Sequence, residues 1–366
     1  MKIGILGGGQ LGQMLASAAR DLEVETLVLD PKPDAVASQV TKHLVADWTD
    51  EAALAELARC DVVTYEFENV PAAAVDRLVE DVPIHPSPDS LVISGDRIVE
   101  KNLFSQLGIE TAPFAQVDSR ADLDRAIAEI GFPAVMKTRR FGYDGKGQAV
   151  LRLPEDVDAA WETLGDQALI LEGFVAFDRE VSVLVVRGRD GSVLSWPATE
   201  NIHVDGILHI SRAPAPEVSD ALMASAAKSV ESIMARLDYV GVLVIEFFQV
   251  GDRLVANEMA CRVHNSGHWT IEGARTSQFE NHMRAVAGLP LGGTAVEGYS
   301  AMVNLVSEIA PLSPLEGRDD VFLHVYGKTA APGRKLGHVT VVAGSREALD
   351  AKVAEVLGVV GDRAAS

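Results

Sequence analysis

VLVIEFFQVGDRLVANEMACRVHNSGH spans residues 242–268. Two apolar strands, 242–250 and 254–259, flank Gly251-Asp252-Arg253, a three-residue hairpin loop in which glycine or aspartate takes the left-handed conformation. With Val250 facing Leu254, the register sets Glu246 opposite Glu258 on one face, and Asn257 is adjacent in sequence. Oxygen donors of this kind suit Mg2+, which keeps several waters and is completed by substrate phosphates. A solvated charged face has the same spacing. Glu246 favours the metal, because it interrupts an apolar run where an unpaired carboxylate is costly to bury.

Outward from the hairpin, the 366 residues allow two or three domains, and a hydrophobic content of 48% supplies a sizeable core. No apolar segment approaches the ~20 residues needed to span a bilayer. Residues 2–6 run straight into a glycine turn, too quickly for a signal peptide, and are expected to form a buried first strand. Cys60 and Cys261 are the only cysteines and are far apart, so a disulfide framework is not expected and the cytoplasm is the expected compartment. A net charge of -21 argues against nucleic-acid or anionic-membrane partners.

The first region has the pattern of an open α/β unit: strand 2–6, turn 7–12, helix 13–21, strand 25–30, strand 62–65 and helix 72–78. Gly7, Gly9 and Gly12 match G-x-G-x-x-G and Asp30 ends the second strand, so a dinucleotide-dependent dehydrogenase is one reading. The motif alone states only that backbone amides approach a ligand at a helix N-terminus. Glu66 and Glu68 follow the strand at 62–65, where open α/β sheets place ligand groups; a solvated loop is the alternative.

A second region follows the proline-rich stretch 83–88. A helix is expected over 97–107 and a strand over 132–137, ending in Lys137. Gly142, Gly145 and Gly147 then give a loop whose amides can fold over phosphates, with Lys137, Arg139, Arg140 and Lys146 supplying positive charge. It is not a Walker A sequence, and a mobile hairpin is the bland alternative. The apolar strand 168–175 runs into a segment able to hold an adenine by backbone hydrogen bonds. Toward the C-terminus, strands are expected over 301–306, 321–326 and 337–343, then an amphipathic helix over 346–357, forming a lobe that packs back near the first domain.

Lys137, the loop from Gly142 to Gln148, Glu172-Gly173-Phe174-Val175, Glu180, Glu246 and Asn257-Glu258 occur in the order of the ATP-grasp superfamily. Gly7 to Gly12, Phe141 to Gln148, Arg262-x-His264-Asn265-Ser266-Gly267-His268, Thr276-Ser277-Gln278-Phe279-Glu280 and Pro332-Gly333-Arg334-Lys335-Leu336-Gly337-His338 more narrowly resemble the N5-carboxyaminoimidazole ribonucleotide synthetase (PurK) family, over nearly the whole chain. The resemblance implies a mixed α/β and α+β architecture. It comprises an N-terminal open α/β (Rossmann-like, pre-ATP-grasp) domain over 1–95, a central ATP-grasp domain over 96–290 with a lid subdomain over about 115–185, and a small C-terminal β-rich lobe over 291–366.

The resemblance also implies ATP between two subdomains, with Arg97, Lys137 and the lid residues Gly142, Tyr143, Asp144, Gly145, Lys146, Gly147 and Gln148 on its phosphates. Glu172, Gly173, Phe174 and Val175 would lie along adenine and Glu180 near the ribose, with His203 close by; Glu246 and Glu258 would hold Mg2+ with Asn257 assisting. Bicarbonate would attack the γ-phosphate to give carboxyphosphate, which carboxylates 5-aminoimidazole ribonucleotide. Arg262 would grip the anionic intermediate and His264 would serve proton transfer or hydrogen bonding, with Asn265 and Asp144 completing the catalytic set. Gln10, Leu11, Glu66, Tyr143, Lys328, Arg334 and Lys335 would bind the ribonucleotide, and a homodimer is implied.

The chain departs from the family pattern at Cys261, where proline is usual, at Ala331, where arginine is usual, and at Trp269, where tyrosine is commoner. The departure at Ala331 puts one phosphate contact in doubt. Three competing readings are a formate-dependent glycinamide ribonucleotide transformylase, the nicotinamide dehydrogenase, and a non-catalytic nucleotide-binding protein. The first shares the ATP-grasp parts; the second leaves the lid and hairpin without a task.

Overall fold

The computed structural model describes residues 1–142 and 145–363. The N-terminal unit is a parallel sheet in the order Lys42–Leu44, Glu25–Leu29, Lys2–Leu6, Val62–Tyr65. Its strands are short and apolar because helices cover the sheet, and every residue of Val62–Tyr65 is buried. The helix Gln10–Asp21 starts inside the glycine turn, three residues earlier than the pattern suggests, so the turn's amides form the helix N-terminus itself.

A smaller antiparallel sheet runs Phe114–Val117, Leu169–Gly173, Ala134–Thr138, Gln148–Leu151. The helices Arg120–Ile130 and Asp156–Leu164 close it over a separate core that includes Leu123, Met136, Leu169 and Leu171. This sheet ends at Gly173, short of the expected lid limit near 185, because the next strand, Arg179–Arg187, joins a different sheet.

That larger sheet orders Arg253–Ala260, Gly241–Val250, Arg179–Arg187, Thr199–Val204, Ile207–Ala213, Tyr299–Val306, Lys335–Ala343 and Val321–Val325. The expected C-terminal lobe is therefore hydrogen-bonded into the central sheet, with Ile210 opposite Val303 and Ala213 opposite Ser300. The helix Arg346–Val360 covers its strands through Leu349, Val353 and Val356. The long helix Asp220–Arg236 packs beneath Arg179–Arg187 and Gly241–Val250. Among the described residues, no helix is long and apolar enough to cross a membrane.

The hairpin that opened the sequence reading forms, by a different route. Val250 pairs with Arg253 across a two-residue turn, Gly251-Asp252, with Gly251 at φ +56°, rather than across the expected three-residue loop. Phe247 pairs with Ala256 and Glu246 with Glu258, so Asn257 is the extra residue of a β-bulge. The shorter turn and the bulge each shift the register by one and cancel.

Candidate active site

A cavity of about 380 Å³ opens where the glycine turn, the hairpin and the strand Lys335–Ala343 converge. It brings together Gln10, Leu11, Arg97, Gly142, His203, Glu246, Glu258, Arg262, His264, Asn265 and Lys335, residues drawn from distant parts of the expected site.

Arg97 begins the helix Arg97–Gln106, which Asp96 caps by accepting from the Ile98 amide. Its guanidinium donates to Glu258 at 2.7 Å, and although desolvation opposes ionisation, this cation holds the Glu258 carboxyl down at about 2. Glu246 behaves in the opposite way. Enclosure raises its carboxyl to about 7; His203 offsets part of this, and the charges of Glu258 and Glu180 add to it. His203 Nδ1 lies 2.7 Å from Glu180, and its imidazole is raised despite desolvation by the Glu180 hydrogen bond and the charge of Glu246.

Glu180, His203 and Glu246 thus offer donor atoms within 4.8 Å of one another. Of the trio expected from sequence, Glu246 stands in this cluster and opposite Glu258, while Glu258 pairs with Arg97 and Asn257 Oδ1 accepts from Lys137 Nζ at 3.5 Å. Glu180, expected near a ribose with His203 close by, stands beside His203 in this cluster.

The side chain of Glu172, a residue expected along adenine, is engaged within the protein. It is 4% exposed, receives a hydrogen bond from Lys137 at 3.0 Å and lies 3.5 Å from Lys101, and these cations keep it ionised below its ordinary value against burial. Lys101 also donates to Thr111 Oγ1 and to the Ala256 carbonyl, next to the bulge. The Gly173 and Phe174 amides donate to Pro113 and Pro133, so neither is open to a base; Val175 is the partly exposed residue that follows.

In the glycine loop, Gly145 and Gly147 take φ of +74° and +71°, a region side-chain-bearing residues avoid. A Cβ at Gly145 would come within 2.9 Å of the Asp205 carbonyl, so the loop lies against the turn at 205–206. The Thr138 amide donates to the Gly147 carbonyl, Gln148 pairs with Lys137, and Arg97 reaches the Gly142 carbonyl at 3.4 Å. Arg139 and Arg140 do not face the loop as free cations, since both contact Asp96, Arg139 through two bonds of 3.1 and 2.7 Å. Lys146 belongs to the same loop; Tyr143 and Asp144 lie outside the described residues.

The glycine turn differs most from expectation. Glu66 accepts from the Gly9 amide at 2.6 Å and from the Gly12 amide at 2.8 Å, while Asp30 accepts from the Gly8 amide at 2.8 Å. A protein carboxylate therefore fills the anion position at the helix N-terminus, and a Cβ on Gly7 would strike the Glu66 side chain at 2.3 Å. This removes the dehydrogenase reading, whose pyrophosphate and ribose would need those same groups. It also corrects the expectation that Glu66 is open to a ribose or amine and that the Gly9 amide serves a phosphate. Gln10 remains available at the cavity wall and accepts from Lys328, whose ammonium burial lowers to about 8 although Glu66 supports the charge. Arg334 donates to the Thr329 carbonyl within its own loop.

Arg262 pairs with Glu68 at 2.6 Å. His264 Nε2 lies 3.3 Å from Glu246, and its Nδ1 faces the Ser266 amide and hydroxyl. An Nδ1 that accepts from the amide leaves the proton on Nε2, toward Glu246. Burial and the neighbouring Arg262 hold this imidazole neutral, well below its ordinary value. Asn265 and Asn304 exchange two side-chain amide bonds, of 3.1 and 2.7 Å.

Three family models match the chain: a ribonucleotide synthetase preATP-grasp domain over 1–95, an ATP-grasp domain over 102–279 and a phosphoribosylaminoimidazole carboxylase C-terminal domain over 300–352. The N5-carboxyaminoimidazole ribonucleotide synthase of Pseudomonas aeruginosa is 53% identical over 97% of this chain and 98% of its own. The chain belongs to the N5-carboxyaminoimidazole ribonucleotide synthase family. The family's Thermus thermophilus crystal structure superposes with a TM-score of 0.94 at 51% identity, covering 98% of this chain and 99% of that one. An Aspergillus clavatus synthase structure in complex with ADP and 5-aminoimidazole ribonucleotide gives 0.89 at 32% identity, covering 98% of each chain.

For a member of the synthase family, the residues missed in the sequence are Asp96, Glu100 and Lys101. Glu100 accepts from the Met259 amide at 2.6 Å, and burial beside Glu258 pushes its carboxyl up to about 8. Arg97, Glu100 and Lys101 stand at i, i+3 and i+4, one helix face. Such a charged stripe ordinarily signals solvent; the apolar partners of Ile98, Leu103 and Phe104 on the same helix were the clue that it is enclosed.

Proposed function

We propose that the protein carboxylates the amino group of 5-aminoimidazole ribonucleotide with bicarbonate at the expense of ATP, giving N5-carboxyaminoimidazole ribonucleotide, ADP and phosphate in purine biosynthesis. The observation that carries this reading is the single cavity shared by Gln10, the Arg97–Glu258 pair and Arg262 with His264, groups suited to a ribonucleotide, to ATP phosphates and to a carboxylating anion. ATP enters between the small antiparallel sheet and the hairpin, with Arg97 and Lys137 neutralising phosphate oxygens and the loop at 142–148 folding over them. Val175 and the neighbouring backbone face the base.

A bicarbonate oxygen attacks the γ-phosphorus, the bond to the β-phosphate oxygen breaks, and ADP leaves. The resulting carboxyphosphate has phosphate as its leaving group. The amine nitrogen then bonds to the carboxyl carbon, directly or as CO2, phosphate departs and the amine loses a proton. The chain's part is positioning and charge neutralisation. Arg262 offers its guanidinium to the carboxylate, exchanging it for Glu68. Neutral His264 donates one hydrogen bond from Nε2.

Mg2+ fits the acidic cluster. Glu246 is raised to about 7 partly by the like charges of Glu258 and Glu180, and a divalent ion would relieve that repulsion. Glu246 and Glu258, with Asn257 assisting, would hold it, and it would supply charge neutralisation at the phosphates. Lys328, Lys335 and Gln10 form the ribonucleotide's phosphate end. A homodimer in the cytoplasm is the proposed setting, in keeping with two buried, unpaired cysteines and with the family resemblance.

The test is ADP release by purified protein with ATP and Mg2+, omitting bicarbonate or aminoimidazole ribonucleotide in turn and offering formate with glycinamide ribonucleotide instead. Release should require the ribonucleotide and bicarbonate together. Release with formate and glycinamide ribonucleotide alone would transfer the assignment to the transformylase type. Glu258→Gln should abolish turnover with the fold intact.

A further inference from the structure

Gln278 is fully buried at the start of the helix Gln278–Ala287, outside every role assigned above, and the loop carrying His264 is wrapped around it. Its carboxamide oxygen accepts from the His264 amide at 2.9 Å, and its nitrogen donates to the His264 carbonyl at 2.6 Å. The same nitrogen lies 3.3 Å from His268 Nδ1. The Gln278 backbone amide donates to Thr270 Oγ1 at 3.0 Å, and that hydroxyl donates to the Gly267 carbonyl at 2.6 Å. A Cβ on Gly267 would approach the Gln278 carboxamide oxygen to 2.6 Å, so the loop closes on this side chain without spare room.

We infer that Gln278 is a positioning residue for the carboxylation half of the reaction, fixing through the His264 backbone where the His264 imidazole and the adjoining Arg262 guanidinium stand. Only a side-chain amide supplies an acceptor and a donor in one plane, matching both backbone groups of a single residue. The His264 carbonyl also accepts from the Gly267 amide at 3.0 Å, so losing the carboxamide leaves the part-buried His264 amide without its acceptor and the loop without its anchor, and the loop takes another path. The hairpin that binds the nucleotide meets the loop held by Gln278 where His264 approaches Glu246, and it is anchored by Arg97, Glu100 and Lys101. The damage should therefore fall on carboxylation and not on nucleotide binding. This inference rests on the proposed synthase reaction.

The experiment compares wild type with Gln278→Met, which keeps the volume and removes both bonds. Three quantities are measured: the turnover of ribonucleotide- and bicarbonate-dependent ADP release, the ADP dissociation constant, and the carboxylated product formed per ADP. Turnover should fall by about 100-fold, the scale expected for misplacing reacting groups by about 1 Å. ADP affinity should stay within about twofold of wild type and product per ADP should drop, as carboxyphosphate is lost to water.

A folded Gln278→Met with wild-type turnover and coupling overturns the inference. A parallel loss of ADP affinity also overturns it, since the residue would then be only structural. If that variant does not fold, Thr270→Val decides by the same readouts with a smaller effect. A wild type lacking ribonucleotide-dependent ADP release would instead sink the functional reading itself.

Discussion

Lys328 combines burial with a task that needs charge. Its ammonium, lowered to about 8 by desolvation, is the cation nearest Gln10 at the proposed phosphate end of the ribonucleotide site. Below pH 8 it is charged and attracts the anion; above pH 8 it is neutral and the attraction fades. The KM for aminoimidazole ribonucleotide should therefore climb as pH rises through about 8 while the KM for ATP stays flat. Lys328→Arg, charged throughout, should flatten that rise. Lys328→Ala should raise the ribonucleotide KM about tenfold or more at pH 7, the scale of one charge-assisted hydrogen bond. Steady-state kinetics between pH 6.5 and about 9 check this. At this scale the sequence exposes residue types but not partners. Glu66 was visible at a strand end, yet that its carboxylate would turn inward onto the Gly9 and Gly12 amides depends on a contact across 54 to 57 residues.

The hairpin of Gly241–Val250 and Arg253–Ala260 carries the largest share of the site, and the bend at its bulge aims Glu258 at Arg97. Phe247 pairs with Ala256 and Glu246 with Glu258 on either side of Asn257, so removing Asn257 keeps those pairs and takes out the bend and the Lys137 contact. Deleting Asn257 should therefore leave Glu258 on the face of Glu246 but misaim it at Arg97 and lower turnover by about 100-fold, while circular dichroism stays close to wild type. Turnover retained in the deletion variant would show that the bulge is incidental. The pairing of Glu246 with Glu258 was legible because alternation of apolar residues sets the faces. The turn was not, because a three-residue loop without a bulge and a two-residue loop with one give the same far-end register. The glycine loop was equally legible as a loop, but the attachment of Arg139 and Arg140 to Asp96 was hidden, since it joins a helix cap to a strand end 43 and 44 residues away.

Across the whole molecule, the central and C-terminal parts share one sheet through Ile207–Ala213 and Tyr299–Val306. Cutting there would expose an apolar edge strand, a template for aggregation. A fragment ending at residue 298 should accordingly form aggregates by size-exclusion chromatography even though the sequence divides into domain-like stretches near that point. A monodisperse, folded fragment would show that the shared sheet edge is dispensable. The three-unit plan could be read from motif order and periodicity. Continuity of the sheet could not, because strand neighbours distant in sequence leave no local signal and the strands from 179 to 213 lie between the motifs that drew attention.

The central claim is that bicarbonate is activated by phosphorylation in the cavity holding Arg97, Glu246 and Arg262. Oxygen transfer tests it most directly. With 18O-labelled bicarbonate, ATP and aminoimidazole ribonucleotide, the phosphate released should carry one labelled oxygen, because the attacking bicarbonate oxygen stays bonded to phosphorus when the carbon is transferred. Release of unlabelled phosphate in step with product, with the label found only in the carboxylate, would contradict the account.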